Sequence, residues 1–221
     1  MTNGIKTGTE RRAGVKMIYA AYGSNLDVKQ MVGRCADAQR IGLGRARGWQ
    51  LEFNGVADIR QRQGASVPLG LWAISEDDLR ALDSYEGYPR LYTRVNVATV
   101  IKSDDIPTKH ARKILARFGR SKADGSIVVS AMVYIMTDRD GLASPCDSYR
   151  ATIERGYADF GIADKMPLVE AVARADKADA RREALAQQQQ EEESQDDGWF
   201  GQSAFFGSEY IPAKYRVNGN S

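Results

Sequence analysis

Short apolar segments, separated by turns rich in glycine and proline, run through the first three quarters of the chain. The first apolar segment, residues 17–22, ends at the polar residues 23–25, and apolar positions at helical spacing then continue to residue 35. Alternating apolar and polar positions predict three further strands, at residues 39–46, 49–59 and 67–74. The chain is therefore expected to begin as strand, tight loop, helix and strands.

A well-delimited helix is predicted after Ser75. Serine is a favoured N-cap, and the acidic residues 76–78 suit the positive end of a helix dipole. The helix is expected to end by Gly87, because glycine adopts the left-handed conformation that terminates helices. Two more strands follow, at residues 91–101 and 126–136, and the second is nearly continuous in apolar residues, as in a strand buried on both faces.

Three later segments differ from this strand pattern. Residues 102–125 are polar and basic around a few apolar positions, and we interpret them as an added hairpin. Residues 146–160 predict a helix with a stripe that faces the core, formed by Tyr149, Ile153, Tyr157 and Phe160. Residues 170–197 contain 4 basic and 9 acidic residues and predict a solvated helix outside the core, which fades into disorder from residue 187.

We expect one folded domain with appendages. The domain spans residues 16–162 and includes the 102–125 insertion; it follows a flexible arm at residues 1–15 and precedes a charged helical segment at 163–197 and an aromatic tail at 198–221. The insertion and the tail combine charged with apolar or aromatic side chains. Both are therefore expected to contact a protein partner or a second copy of the chain.

Composition excludes several classes of protein. A net charge of +2 gives no indication of a membrane surface partner and makes a nucleic acid partner unexpected. No apolar segment is long enough to cross a membrane, and the first residues lack the apolar core of a signal peptide, so we expect a cytoplasmic protein. Cys35 and Cys146 are far apart, so neither a zinc site nor a disulfide is indicated.

The chain contains a single histidine, His110, which narrows the possible catalytic chemistry. It lies in a polar, charged stretch, and the sequence has no GxSxG motif, so a hydrolase built on histidine is not indicated. If the protein is an enzyme, a carboxylate, a thiol, a tyrosine or the backbone is expected to perform the reaction.

The first candidate site is the segment Tyr22-Gly23-Ser24-Asn25-Leu26, at the turn from the first strand into the first helix. Backbone N–H groups at such a turn bind anions, and the helix dipole favours negative charge there. Gly23 lets a ligand approach the backbone, while Ser24 and Asn25 offer polar side chains. The alternative is that Ser24 or Asn25 only caps the helix.

The second candidate is Glu86, near the end of the well-delimited helix and among Tyr85, Tyr88 and Tyr92. The negative end of the helix dipole and desolvation by the aromatic rings would both raise the pKa of its carboxyl group. Such a group accepts a proton near the working pH and later returns it, which makes Glu86 a candidate general base. The alternative is a solvated glutamate at a helix end.

Together these two segments resemble the gamma-glutamylcyclotransferase-like family, which includes the AIG2-like proteins. Residues 22–26 match its YGSNL loop, and residues 82–87 match its LDxxEG helix end, followed by Pro89 and Tyr92. The closing helix of the family is matched by Pro145, Tyr149, Ile153, Gly156 and Gly161. The resemblance covers about residues 17–101 and 126–161.

The resemblance implies an α+β fold, a small curved mixed β-barrel surrounded by helices. It implies that Glu86 is the catalytic general acid and base. The implied reaction closes the glutamyl group of a γ-glutamyl compound into 5-oxoproline and releases the amine, without a metal or another cofactor. The substrate-binding residues that it implies are Tyr22, Gly23, Ser24, Asn25, Leu26 and Tyr92.

Two alternatives remain open. The first concerns the substrate, which is either a γ-glutamyl amino acid or peptide such as glutathione, or a γ-glutamyl amine such as a glutamyl-lysine isopeptide. The sequence does not distinguish them, because the glutamyl end is the same in each. The second alternative is that the protein is a non-catalytic binding protein with this fold, since a fold does not determine a function. Glu86 favours the enzyme, because a binding protein does not need a general base.

Overall fold

The computed structural model describes residues 14–15 and 17–203, with side chains as far as residue 193. Most of the predicted flexible arm, residues 1–13, therefore lies outside the described residues. The predicted aromatic tail is outside them from residue 204 onward, and its earlier side chains are not described either. The expectations about these two segments remain predictions.

The described residues form six strands and five helices. They are, in chain order, β1 (Met17–Ala21), α1 (Val28–Arg34), β2 (Gln39–Asn54), β3 (Val56–Ile74), α2 (Glu76–Glu86), β4 (Tyr92–Ile101), α3 (Lys109–Phe118), β5 (Gly119–Ser121), β6 (Ile127–Met136), α4 (Asp147–Asp159) and α5 (Met166–Ser203). A 3₁₀ turn at Ser24–Leu26 joins β1 to α1, and a second lies at Ser103–Asp105.

Five of the strands close into a mixed β-barrel. The order β1-β3-β2-β4-β6 is antiparallel throughout, and a parallel pairing of β1 with β6, at Tyr19 and Met132, closes the ring. The short β5 adds to β6. The expected α+β fold with a mixed barrel is therefore confirmed.

The core fills the barrel and extends under the helices. Trp72, Phe53 and Leu71 from the β2–β3 hairpin are fully buried. On α4, Ile153 and Tyr157 are buried too, which confirms the predicted core stripe at these two positions. The barrel and α4 thereby share one hydrophobic core.

The prediction of three strands between residues 39 and 74 is wrong. The segment forms two long strands, β2 and β3, which pair along most of their length. The chain turns at Gly55, whose φ of 77° is in the left-handed region that glycine tolerates. The predicted strand at residues 49–59 therefore spans a hairpin turn, and the polar residues 60–63 remain within β3, exposed on the strand.

The insertion at residues 102–125 forms the helix α3 and the short strand β5 instead of a simple hairpin. The Thr108 hydroxyl caps α3 by accepting a hydrogen bond from the Ala111 N–H at 3.0 Å. Ala111, Ile114 and Leu115 are buried at helical spacing. The prediction failed because the basic residues between these positions masked that spacing.

The helix α5 also differs from its prediction. It continues through residues 187–197, where disorder was expected. Its first turns belong to the core, since Leu168, Ala171 and Ala175 are buried. Contacts divide the chain into two compact units, residues 1–179 and 180–221, and the barrel belongs to the first. None of the described helices is long and apolar enough to span a membrane.

Candidate active site

A small cavity lies beside the loop that follows β1. The structure brings six of the seven residues predicted for the site together around it. The lining residues are Tyr19, Tyr22, Gly23, Ser24, Asn25, Ala57, Glu86, Tyr92, Tyr134 and Tyr149. Six structural elements and the loop thus contribute to one concave surface, as small-molecule sites commonly require.

Leu26 is the exception among the predicted site residues. Its side chain is fully buried in the core instead of lining the cavity. The reason is close packing: a Cβ atom on Gly70 or on Gly156 would lie within 2.6 Å of the Leu26 side chain. Leu26 therefore anchors the loop to β3 and α4, and its assignment as a substrate-binding residue is corrected.

The ends of α2 determine where Glu86 lies. At the N-terminal end, the Ser75 hydroxyl accepts a hydrogen bond from the Asp78 N–H, and the Asp78 carboxylate accepts one from the Ser75 N–H, both at 3.1 Å. At the other end, Gly87 adopts the left-handed conformation, with φ 66°, and Tyr88 N donates to the Asp83 carbonyl at 2.9 Å. Glu86 is thus the last residue of a firmly capped helix.

The Glu86 carboxyl group has a raised pKa. Burial is the main cause, because desolvation disfavours the charged form. The positive charge of Arg34 and a hydrogen bond from Asn25 Nδ2 to Glu86 Oε1, at 3.0 Å, act in the opposite direction. The sequence predicted desolvation by the neighbouring tyrosines but gave no indication of the charge of Arg34.

The phenol groups around Glu86 are held by hydrogen bonds. The Tyr19 hydroxyl accepts from Asn25 Nδ2 at 2.8 Å, and the Tyr22 hydroxyl donates to the Tyr134 carbonyl at 2.5 Å. The Tyr134 hydroxyl in turn donates to Asp83 Oδ1 at 2.7 Å. Burial raises the pKa of Tyr19, Tyr22 and Tyr134, so these groups stay neutral near pH 7.

Tyr92 and Tyr149 complete the wall of the cavity. Tyr92 is the first residue of β4, and Tyr149 belongs to the first turn of α4; burial raises the pKa of both phenols. The Tyr149 hydroxyl accepts a hydrogen bond from the Ala57 N–H at 3.2 Å. A Cβ atom on Gly23 would stand 3.1 Å from that hydroxyl, so the glycine keeps this side of the cavity open.

The positive end of α1 is capped by the chain's own carboxylates, whereas the sequence predicted that the dipole of this helix would favour an anionic ligand at the 22–26 loop. Asp27 is its N-cap and accepts from the Gln30 N–H at 3.0 Å, while Asp159 accepts from the Val28 N–H at 2.8 Å. The chain's own carboxylates therefore occupy the positive end of this helix. The alternative that Ser24 or Asn25 caps the helix is also wrong, because both belong to the preceding 3₁₀ turn.

Sequence reasoning missed several residues at or beside the cavity. Tyr19 and Tyr134 lie on β1 and β6, which are adjacent only because the barrel closes through their parallel pairing. Tyr149 was assigned to the core stripe of α4, although its position in the closing-helix motif was a usable signal. Arg34 carried no such signal. His110, in contrast, is exposed on α3, with Nε2 3.1 Å from Gln39 Oε1.

Comparison with known proteins identifies the family. The model of the family described as gamma-glutamyl cyclotransferase, AIG2-like, matches residues 19–151. This match covers more than half of the chain, and the protein belongs to that family. A search of curated protein sequences gave no match.

Solved structures share the fold. One, a gamma-glutamyl cyclotransferase, is 21% identical with a TM-score of 0.52, over 68% of this chain and 83% of that one. Another, an uncharacterized protein from Homo sapiens, is 21% identical with a TM-score of 0.53, over 70% of this chain and 85% of that one. At this level of identity the likeness concerns the fold, while the chemistry has to be argued from the site.

Proposed function

We propose that this protein is a γ-glutamyl cyclotransferase in which Glu86 acts as general acid and base. The main support for this proposal is the position of Glu86. Its carboxyl group has a raised pKa and lies in a cavity that is otherwise lined by neutral side chains and by the 23–25 loop. Such a carboxyl group can take up a proton and return it within one reaction cycle. Family membership supports the same class of reaction.

The substrate end proposed for this cavity is a glutamyl group with a free α-amine. Its ammonium group can form an ion pair with the Glu86 carboxylate. Its α-carboxylate can accept hydrogen bonds from the Ser24 hydroxyl and from backbone N–H groups of the loop. Tyr92 and Tyr149 supply neutral walls for the methylene groups. This arrangement folds the substrate so that its α-nitrogen approaches its own γ-carbonyl carbon.

In the proposed reaction, Glu86 first removes a proton from the α-ammonium. The freed amine attacks the γ-carbonyl carbon and forms the ring C–N bond, while the carbonyl oxygen becomes an oxyanion next to the loop amides. The bond from that carbon to the leaving nitrogen then breaks, and the leaving nitrogen receives a proton from Glu86. The attacking nitrogen loses two protons in all, the second after the ring bond forms. Glu86 passes both to the leaving nitrogen, which departs as an ammonium ion, and the carboxyl group ends the cycle ionised.

Proximity accounts for much of the expected acceleration. Ring closure is intramolecular, and well-oriented intramolecular reactions reach effective molarities on the order of 10⁵–10⁸ M. The protein therefore has to hold the substrate in a folded conformation and stabilise charge, and a site built of hydrogen-bonded phenols and a short rigid loop can do both.

The pH dependence of kcat/KM should reflect the burial of Glu86. A general base must be ionised in the free enzyme, so activity should rise with pH through the pKa of Glu86. Because burial raises that pKa above its ordinary 4.5, the acid limb should lie above pH 4.5. A kcat/KM profile from pH 4 to pH 9 measures it; a limb at or below the ordinary value would contradict the assignment.

Replacing Gly23 with valine should weaken substrate binding. A Cβ atom added there would lie 3.1 Å from both Ala57 Cβ and the Tyr149 hydroxyl, so the methyl groups of valine must extend into the cavity. We expect KM to rise about tenfold, which corresponds to about 1.4 kcal/mol of binding. Gly23→Ala should have a smaller effect, and urea unfolding checks that neither variant is unfolded. An unchanged KM in Gly23→Val would show that the loop does not contact the substrate.

The proposed function is tested by the product that purified protein releases. We expect 5-oxoproline from at least one class in a panel of γ-glutamyl amino acids, glutathione and γ-glutamyl amines, the last represented by a glutamyl group joined to the side-chain amine of lysine. The preferred class decides between a peptide or amino acid substrate and an amine or isopeptide substrate. Binding of these compounds by folded protein without any 5-oxoproline would favour a non-catalytic binding protein on this fold.

A further inference from the structure

Arg34 bridges the helices that end beside the cavity. It is the last residue of α1, and its guanidinium donates a hydrogen bond to Asn25 Oδ1. Its Cζ also lies 3.4 Å from the centre of the Tyr85 ring, on the residue that precedes Glu86 in α2. A cation stacked on an aromatic ring and bonded to an amide is held in place from two sides.

The contacts of Asn25 allow one orientation of its side-chain amide. Asn25 Nδ2 donates to the Tyr19 hydroxyl at 2.8 Å and to Glu86 Oε1 at 3.0 Å, while Oδ1 faces Arg34. A guanidinium only donates hydrogen bonds and an ionised carboxylate only accepts them. In a flipped amide, Nδ2 would face the Arg34 guanidinium, which is also a donor, and Oδ1 would face the Glu86 carboxylate oxygen, which is also an acceptor. Arg34 therefore determines that Nδ2 faces Glu86.

The backbone of Asn25 is fixed as well. The residue is 3% exposed, and Trp72 Nε1 donates to its carbonyl oxygen at 3.2 Å. Both N–H bonds of its amide group are used, one by Tyr19 and one by Glu86. Asn25 was predicted to bind the substrate, but this geometry gives its side chain a different task, which is to hold the Glu86 carboxylate in one direction.

Arg34 also balances the charge at this position. Glu86 is the last residue of α2, so the partial negative charge of that helix end lies close to its carboxylate. Burial and the end of α2 favour the neutral acid, whereas the positive charge of Arg34 favours the carboxylate. Without Arg34 the group would hold its proton at a higher pH.

We propose that Arg34 is a positioning residue for the reaction: through Asn25 it fixes the direction of the Glu86 carboxylate, and by its charge it keeps that carboxylate ionised to accept the substrate proton. The proposal rests on the proposed function, since it assigns Arg34 a task only if Glu86 is the general base. It separates into a geometric part and an electrostatic part, and two substitutions distinguish them.

Arg34→Met removes both the hydrogen bond and the charge. We expect the acid limb of the kcat/KM profile to move up by about one pH unit, because a nearby opposite charge favours the ionised carboxylate. We expect kcat near pH 7 to fall about tenfold. The control is Arg80→Met, which removes the same charge from an exposed position on α2, where Arg80 pairs with Glu76 and Asp77, and should leave the acid limb in place.

Arg34→Lys keeps the charge but loses the planar guanidinium, which both donates to Asn25 and stacks on Tyr85. Its acid limb should stay within a few tenths of a pH unit of the wild type, while kcat falls severalfold because Asn25 is no longer held. A wild-type kcat in Arg34→Lys would overturn the geometric part. An unmoved acid limb in folded Arg34→Met would overturn the electrostatic part.

A second readout keeps this test apart from the proposed function. NMR titration of ¹³C-labelled glutamate carboxyl groups, with Glu86 assigned by its loss in Glu86→Gln, measures the Glu86 pKa without substrate. If no γ-glutamyl compound is cyclised, the proposed function fails, but the titration still measures the coupling of Arg34 to Glu86. Equal Glu86 titration in wild type and Arg34→Met would overturn the electrostatic part even in an active enzyme.

Discussion

Replacing Glu86 with glutamine is expected to lower turnover by roughly 10²-fold or more, the usual contribution of a general acid or base. Glutamine has nearly the same shape, so the cavity is preserved, but a neutral amide cannot accept the proton of the substrate ammonium. It also cannot donate a proton as a carboxylic acid does when the leaving nitrogen departs. The measurement is the rate of 5-oxoproline release under saturating substrate.

The matched control for this variant is Glu154→Gln. Glu154 is an exposed glutamate on α4 that pairs with Arg150 at 3.2 Å and does not line the cavity. Its replacement makes the same chemical change at a surface position and should leave turnover within a factor of two. Near-normal turnover in folded Glu86→Gln would remove Glu86 from the mechanism.

Replacing Gly156 with alanine is expected to destabilise the fold by about 2 kcal/mol or more, because a Cβ atom there would overlap the loop before α1. That atom would lie 2.3 Å from Leu26 Cβ and 2.7 Å from the Asp27 backbone nitrogen. Backbone cannot rotate aside, so α4 or the loop must move. The overlap outweighs the higher helix propensity of alanine, which is worth about 1 kcal/mol.

Gly33→Ala is the control for this second prediction. Gly33 also lies within a helix, α1, but a Cβ atom there would meet nothing within 4 Å. Alanine should therefore stabilise the protein by about 0.5–1 kcal/mol through helix propensity and reduced unfolded-state entropy. Urea unfolding measures both variants. A Gly156→Ala protein as stable as the wild type would show that α4 does not pack against this loop so closely.

The parts of the fold that could be predicted are those with local signals. The helix α2 has a serine N-cap, acidic residues in its first turn and a glycine at its end, and its bounds were confirmed. The β2–β3 hairpin was divided wrongly, because one glycine, Gly55, turns the chain inside a segment that alternates like a single strand. The helix α3 was missed because basic residues obscured its apolar spacing.

The site could be predicted in part for the same reason. The loop residues and Glu86 lie in short motifs, so six of the seven predicted residues line the cavity. Tyr19 and Tyr134 come from strands that meet through a parallel pairing, and non-local pairing of this kind leaves no pattern in either strand. Arg34 acts through Asn25 without lining the cavity, and such an indirect role has no signature in a single sequence.

The measurement that tests the central claim most directly is the reaction in water enriched in heavy oxygen, with the best γ-glutamyl substrate, followed by mass spectrometry of the product. Cyclisation by attack of the α-amine uses no water, so the account predicts 5-oxoproline without heavy oxygen and an equal amount of free amine. Free glutamate carrying one heavy oxygen atom would show that water attacks the γ-carbonyl, and it would contradict an intramolecular reaction at Glu86.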